Sequence, residues 1–469
     1  MNKKYSDLLK NTLIFSLGSL GSKLILFFLV PLYTHYMAAD EYGIADLVFT
    51  VAQFLIPFLS LVIYDAVIRY GLSKDVQRED VLRIGYAVIG VDCFLALCIL
   101  PLIDLYSPLA VWKWYLCVYL VLCIVDSIQF NYLKVCDKNK LFAGLSICKT
   151  FCMAGLNVIL LALFQFGIQG YLISNILALF FTNLWVFFLG GYWSELRRSH
   201  WNMPLFKEMI WYSSPLILNN ISWWFMQSAD KVIIEYALGA TALGLYTVAA
   251  KIPALINVII SIFSQAWGIS SITEYESSND TTFYSNVQKI YMAIVCAACI
   301  GYVAFIKIFM QYYVSADYWE AWQYVPLLLV SAVFSSISSF YGSLYGALKK
   351  SFNNMLSTFF SSLVNVVLAC FLISTIGVWG AVIGTVLAYI FIAMYRIIDV
   401  RRFMEIQMDW GRFFINCLIV IVQAVLVSVD WYGYMISCIA IVCYVVNNKS
   451  ILVKMYDIGK RKISLKGRL

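Results

Sequence analysis

The fold of this chain is decided by the stretch ADEYGIADLVFTVAQFLIPFLSLVI, residues 39–63. Its pattern returns in ATALGLYTVAAKIPALINVIISIFS, residues 240–264, at an offset that places Gly43 over Gly244. In both stretches, small residues lead into an apolar run that is long enough to cross a hydrocarbon core of about 30 Å as a helix. The chain is therefore predicted to contain a duplicated set of membrane-spanning helices.

The composition of the whole chain indicates a polytopic membrane protein. Of its 469 residues, 62% are hydrophobic and 13% are charged, whereas an ordinary soluble domain carries about 25% charged residues. We count 14 candidate spans. The net charge of +7 is spread over loops and the tail, so it does not indicate nucleic-acid binding. Most of the 13 cysteines, such as Cys296 and Cys299, lie inside apolar runs and are predicted to be small buried hydrophobic residues, so no metal site is expected.

The basic residues alternate along the chain. Counted from the N-terminus, every second segment between spans is basic, and most of the 33 lysines and arginines lie in these segments. The opposite loops, such as QFGIQG (residues 165–170), are short and nearly free of basic residues. By the positive-inside rule, both termini are predicted to lie in the cytoplasm.

A second pair of similar stretches extends the duplication. FGIQGYLISNILA (residues 166–178) resembles IGVWGAVIGTVLA (residues 376–388). Parallel repeats of this kind occur in alternating-access transporters, with the substrate site between the halves. We predict an all-α integral membrane protein of about 14 transmembrane helices. Its expected parts are an N-terminal six-helix lobe (1–200), a C-terminal six-helix lobe (201–402), and two additional helices with a basic cytoplasmic tail (403–469).

Three short motifs resemble those of bacterial polysaccharide flippases of the multidrug/oligosaccharidyl-lipid/polysaccharide exporter superfamily. They are EYGIADLV after the first span, SADKVII at the end of the seventh and LGLYTVAAKI at the start of the eighth. The resemblance implies two six-helix lobes around a central cavity in the bacterial cytoplasmic (inner) membrane. It also implies translocation of undecaprenyl-pyrophosphate-linked oligosaccharide repeat units from the inner to the outer leaflet, for O-antigen, capsule or exopolysaccharide biosynthesis.

The same resemblance implies a set of partners. These are the lipid-linked oligosaccharide, membrane lipids, and a polysaccharide polymerase with its chain-length machinery, with no nucleic acid and a monomer able to work alone. No cofactor is expected, and the coupling ion, H+ or Na+, stays open.

Lysines inside the predicted spans are the first candidate site residues. A charge at mid-membrane costs at least about 2.5–3.5 kcal/mol, so it normally faces protein or water. We predict a cationic cavity that neutralises the pyrophosphate, formed by Lys23, Lys149, Lys231 and Lys251. Asp126 and Lys149 lie at similar distances from the turn near Asp137, so antiparallel helices would bring them to one depth. Their pairing is either structural or leaves Lys149 able to hold an anion.

Span seven carries a polar face. Asn220, Trp224 and Gln227 recur at helical spacing on one side, and an aromatic ring between amide groups suits a sugar. The alternative is helix packing with an interfacial tryptophan. Lys231 continues this face, and Asp230 beside it is a candidate charge partner.

Three further charges lie in the first half of the chain. Asp65 and Arg69 are spaced i,i+4, which predicts a local surface pair on one helix. Asp92 in span three has no partner that the sequence indicates.

Two other functions remain open from the sequence. A cation-coupled multidrug antiporter of the same superfamily would need carboxylates in its cavity, whereas lysines predominate here. A membrane-embedded transferase would need an acidic inner cluster, for which Glu274, Glu276 and Asp280 are the local candidates. The chain contains neither GxxxxGK[ST] nor HExxH, and we expect a transporter rather than an enzyme.

Overall fold

The computed structural model describes residue 21 and residues 24–73, 75–277 and 281–466, and every regular element within them is a helix. The predicted all-α fold class is therefore confirmed. The helices are α1 (Leu24–Tyr36), α2 (Ala39–Leu59), α3 (Ile63–Gly71), α4 (Arg78–Ile103), α5 (Ser107–Ala110), α6 (Lys113–Val135), α7 (Asn139–Asn157) with a π-helical extension (Val158–Leu163), α8 (Gly167–Leu189), α9 (Tyr192–Arg198), α10 (Met203–Leu238), α11 (Ala240–Ser277), α12 (Thr281–Tyr313), a 3-10 helix (Ala316–Gln323), α13 (Val325–Ala347), α14 (Ser351–Ile376), α15 (Val378–Val400), α16 (Trp410–Ser428) and α17 (Gly433–Lys466).

Twelve helices in the described residues are long and apolar enough to cross a membrane, so the chain is a multi-pass membrane protein. They correspond to 12 of the 14 expected spans. The expected first span lies partly outside the described residues, which show it as the short apolar helix α1. The expected seventh span is α10, which has 36 residues but carries too many polar side chains to meet the same hydropathy criterion.

The described residues fall into two compact units, one ending at Thr247 and the other beginning at Val248. In the first unit, α6 packs against α2, α3, α4 and α8, while α10 packs against α2 and α3. In the second unit, α13, α14 and α15 pack closely together, and α12 packs against α16 and α17. The three-part division at residues 200 and 402 stays a prediction.

The second predicted span is broken into α2 and α3. Leu61 and Val62 take left-handed backbone conformations, with φ of 47° and 55°, which are uncommon for residues other than glycine. The Ser60 hydroxyl donates a hydrogen bond of 2.7 Å to the Ile56 carbonyl at the end of α2. Beyond this break, α3 packs against α4, α6 and α10.

A buried arginine connects three helices of the second unit. Arg396 on α15 is 2% exposed. Its guanidinium donates to the Ser338 carbonyl on α13 at 2.9 Å, to Thr358 Oγ1 on α14 at 2.9 Å and to Ser357 Oγ at 3.0 Å. Gly342 leaves room for it, because a Cβ built there would lie 2.4 Å from the guanidinium.

We expect Arg396→Met to destabilise the second unit. The substitution leaves several buried acceptors without donors, at about 1–3 kcal/mol for each one. The apparent melting temperature of the detergent-solubilised protein should therefore fall by several degrees. Arg402→Met is the matched control, since Arg402 lies six residues further on with its side chain 71% exposed. An equal, small effect of both substitutions would contradict the role given to Arg396.

Candidate functional site

An ion pair joins α2 and α10 within the first unit. Lys231 Nζ lies 2.7 Å from Asp46 Oδ2, and the side chains are 17% and 8% exposed. Thr247 Oγ1, near the start of α11, donates a hydrogen bond of 3.2 Å to the same carboxylate oxygen. Lys231, one of the four predicted lysines, therefore has Asp46 as its carboxylate partner, which the sequence analysis did not predict.

The two repeated stretches meet beside this pair. A Cβ built on Gly43 would lie 2.2 Å from the Ala240 carbonyl oxygen, and one built on Gly244 would lie 1.9 Å from the Ala39 carbonyl oxygen. The contact is reciprocal, because Ala39 and Ala240 occupy equivalent positions in the two stretches, as the two glycines do. The absence of a side chain at both positions lets the backbones of α2 and α11 touch.

Asp230 accepts hydrogen bonds from two neutral donors. The Tyr246 hydroxyl donates to its carboxylate, and the Lys231 backbone N–H donates to Asp230 Oδ1 at 3.0 Å. Asp230 is buried. These bonds fix the carboxylate next to Lys231 while the lysine ammonium reaches Asp46.

On the polar face of α10, Trp224 packs against α2, whereas Gln227 is exposed. Trp224 Nε1 donates to the Thr50 carbonyl on α2 at 3.0 Å, and its ring lies 4.6 Å from that of Phe54, centroid to centroid. This is the packing arrangement that the sequence left as an alternative. The Asn220 side-chain amide donates a hydrogen bond of 3.0 Å to the Leu216 carbonyl on the preceding turn of α10. Gln227 is exposed. Asn220 Oδ1 and the Gln227 amide therefore remain the candidate sugar contacts on this face.

A second ion pair joins α6 and α7 in the same unit. Lys149 Nζ lies 2.8 Å from both carboxylate oxygens of Asp126, and 4.5 Å from the centre of the Phe130 ring. The spacing around the inner turn predicted this common depth, and the pair is formed. The Lys149 side chain remains partly exposed, at 28%.

The remaining predicted charges are placed differently. Lys23 lies outside the described residues. Lys251 lies on α11 in the second unit, where it is partly buried and interacts with a neighbour. The expected Asp65–Arg69 pair is not formed in the described part of the chain, where Arg69 is exposed.

An apolar groove runs between α16 and α17 in the second unit. Its volume is about 300 Å³, and it is lined mainly by aliphatic side chains, among them Leu418, Val422, Ile436 and Ile439. Its chemistry suits a hydrocarbon chain.

Comparison with solved structures shows which known fold the chain has. The Lipid II flippase MurJ in an inward closed conformation has a TM-score of 0.70 at 12% identity, with 95% of this chain and 100% of that chain covered. An inward-facing multidrug resistance transporter of the MATE family, in the MOP superfamily, has a TM-score of 0.63 at 15% identity, with 82% and 94% covered. The chain has the fold of these membrane transporters.

The family follows from the sequence comparison. The polysaccharide biosynthesis protein family matches residues 36–296, which is more than half of the chain, so the chain belongs to this family. A protein of the Lsg locus of Haemophilus influenzae is 23% identical over 273 residues, and an uncharacterised membrane protein of the same organism is 21% identical over 267. Each match covers 55% of this chain and 64% of the relative. The expected membership in a polysaccharide biosynthesis family is confirmed, while the solved MurJ and MATE structures show the fold.

Proposed function

We propose that this protein is a flippase, not an enzyme. It moves undecaprenyl-pyrophosphate-linked oligosaccharide repeat units from the inner to the outer leaflet of the bacterial cytoplasmic membrane by alternating access, for O-antigen, capsule or exopolysaccharide biosynthesis. The observation that carries the proposal is the Lys231–Asp46 pair, in which one carboxylate holds a largely buried ammonium on the polar helix α10. Membership of the polysaccharide biosynthesis family supports a saccharide-bearing substrate.

The charge balance of the two ion pairs suits a passing pyrophosphate. Two unit charges 4 Å apart attract by roughly 4 kcal/mol at an effective dielectric of 20. A pyrophosphate carries more negative charge than the single carboxylate of Asp46 or Asp126, so it competes for Lys231 and Lys149. Asn220 and Gln227 on α10 are available for sugar hydroxyls, and a role for Lys23 and Lys251 in binding the pyrophosphate stays a prediction. The polyprenyl tail remains in lipid.

The proposal extends to setting and partners. Both termini lie in the cytoplasm, the protein works as a monomer, and a polymerase with its chain-length machinery receives the product. The alternative is a cation-coupled multidrug antiporter, which the fold of the MATE transporter fits. The ion pairs favour the flippase, because the carboxylates of Asp46 and Asp126 both neutralise lysines and are not left for a cationic drug.

Transport should be tested in proteoliposomes with an undecaprenyl-pyrophosphate-linked oligosaccharide. We expect Lys149→Ala to slow its appearance in the opposite leaflet by about tenfold or more, because a charge-assisted hydrogen bond of about 1.5–3 kcal/mol is lost. The double variant Lys149→Ala with Asp126→Ala separates the roles, because it also removes the unpaired carboxylate. We expect the double variant to be as slow as the single one.

Two outcomes would count against this use of Lys149. Recovery of transport in the double variant would mean that the pair only holds α6 to α7. Arg401→Ala is the control, since Arg401 lies after α15 with its guanidinium 4.7 Å from the centre of the Trp410 ring, and its transport should be near that of the unmodified protein. Equal losses in Lys149→Ala and Arg401→Ala would show that inner-loop charges, not those within the helices, determine the rate.

A further inference from the structure

Asp92 is a buried carboxyl group without a partner. It lies near the middle of the 26-residue helix α4, and it is 0% exposed. Neither carboxylate oxygen has a hydrogen-bond donor in the described residues. A structural ion pair therefore does not explain this residue, which the sequence also left unexplained.

Several charged groups on the helices packed against α4 are paired with side chains other than Asp92. The helices are α2, α3, α5, α6 and α9. The next residue on α4 is Cys93, which carries a thiol. The pairs are Lys231 with Asp46, Lys149 with Asp126, Lys113 with Asp104, Lys134 with Asn131, and Glu195 with Tyr132 and Arg78. The other charged side chains on these helices are Asp40, Glu41, Asp65, Arg69, Arg197 and Arg198, and in the described part of the chain none of them donates a hydrogen bond to Asp92.

We infer that Asp92 is a proton-binding site that couples transport to the proton gradient. An isolated buried charge is strongly unfavourable, so the carboxyl group is neutral in this conformation and holds one proton. When water reaches α4 in the opposite conformation, the proton leaves to that water and the carboxylate remains. A metal cation would need several oxygen ligands at once, and no group of three or more His, Cys, Asp or Glu residues gathers in the described part of the chain.

The proton can be observed without any substrate. Infrared spectra of the purified full-length protein near neutral pH should show the carbonyl stretch of a protonated carboxyl group, which Asp92→Asn should remove. The substitution replaces one neutral group by another of similar shape, so the variant should fold. Asp104→Asn is the matched control at the C-terminal end of α4, because Asp104 is exposed and paired with Lys113, and it should leave the band unchanged. A band that persists in Asp92→Asn would overturn the site.

Coupling is tested separately and rests on the proposed function. With one proton carried per substrate, a gradient of one pH unit should shift the steady-state distribution of the pyrophosphate-linked oligosaccharide by up to about tenfold. Asp92→Asn should still exchange substrate between leaflets but show no shift. A wild-type shift retained in Asp92→Asn would overturn the coupling role. Absence of any exchange by the wild-type protein would instead count against the flippase, while the infrared result still decides proton binding.

Discussion

Replacing Lys231 by methionine is expected to reduce transport of the pyrophosphate-linked substrate by about tenfold or more, from the loss of about 1.5–3 kcal/mol in a charge-assisted hydrogen bond. Methionine keeps much of the lysine stem's apolar volume, so the effect should reflect the missing ammonium rather than lost packing. Initial rates in proteoliposomes, normalised to folded protein, measure the change. Because Lys231→Met leaves Asp46 partly buried beside Thr247, the variant Lys231→Met with Asp46→Asn should be measured in parallel.

A reciprocal exchange separates a substrate-binding ammonium from a structural ion pair. Asp46→Lys with Lys231→Asp keeps both charges in contact but moves the cation from α10 to α2. We expect this protein to regain the stability that Lys231→Met loses, yet to transport no faster than Lys231→Met. Transport restored to the wild-type rate would show that the pair only joins the helices, and the flippase proposal would then lose its main observation.

The sequence predicted those features that depend on local pattern. Apolar runs of membrane-spanning length correspond to helices, and the register of Gly43 on Gly244 identified the two stretches that touch in the structure. Asp126 and Lys149 were paired correctly because they flank one turn, where counting residues from the turn gives the depth of each. Counting residues gives the right depth here because α6 and α7 are antiparallel neighbours joined by one turn, so both counts start at the same depth.

The sequence did not predict partners that are distant along the chain. Asp46 is 185 residues from Lys231, and only the folded arrangement of α2 and α10 brings them together. A signal was nevertheless present, since Asp46 is a carboxylate within an apolar run, three residues after Gly43. The Asp65–Arg69 prediction failed for a different reason: i,i+4 spacing makes contact feasible, but exposed arginines gain little from such pairs.

The contact between Gly43 and Gly244 leads to the other large expected effect. Gly244→Ala would place a Cβ 1.9 Å from the Ala39 carbonyl oxygen, whereas side-chain carbons essentially never come closer than 3.0 Å. The starts of α2 and α11 would have to separate by about 1 Å or more, and overpacking of this kind costs about 1–3 kcal/mol. We expect a lower melting temperature and slower transport, since Asp46 lies beside the contact. Gly268→Ala on the same helix is the control, because a Cβ there meets nothing within 4 Å.

Because Gly43 and Gly244 lie in the same contact, the stability of the double variant gives a stricter test of that contact. Gly43→Ala and Gly244→Ala each require the two helix starts to move apart, so the first substitution already makes part of the space that the second needs. The loss of stability in the double variant should therefore be smaller than the sum of the two single losses, as expected for residues in contact. Strictly additive losses, or a Gly244→Ala protein as stable and active as Gly268→Ala, would mean that α2 and α11 do not touch at these glycines in the membrane.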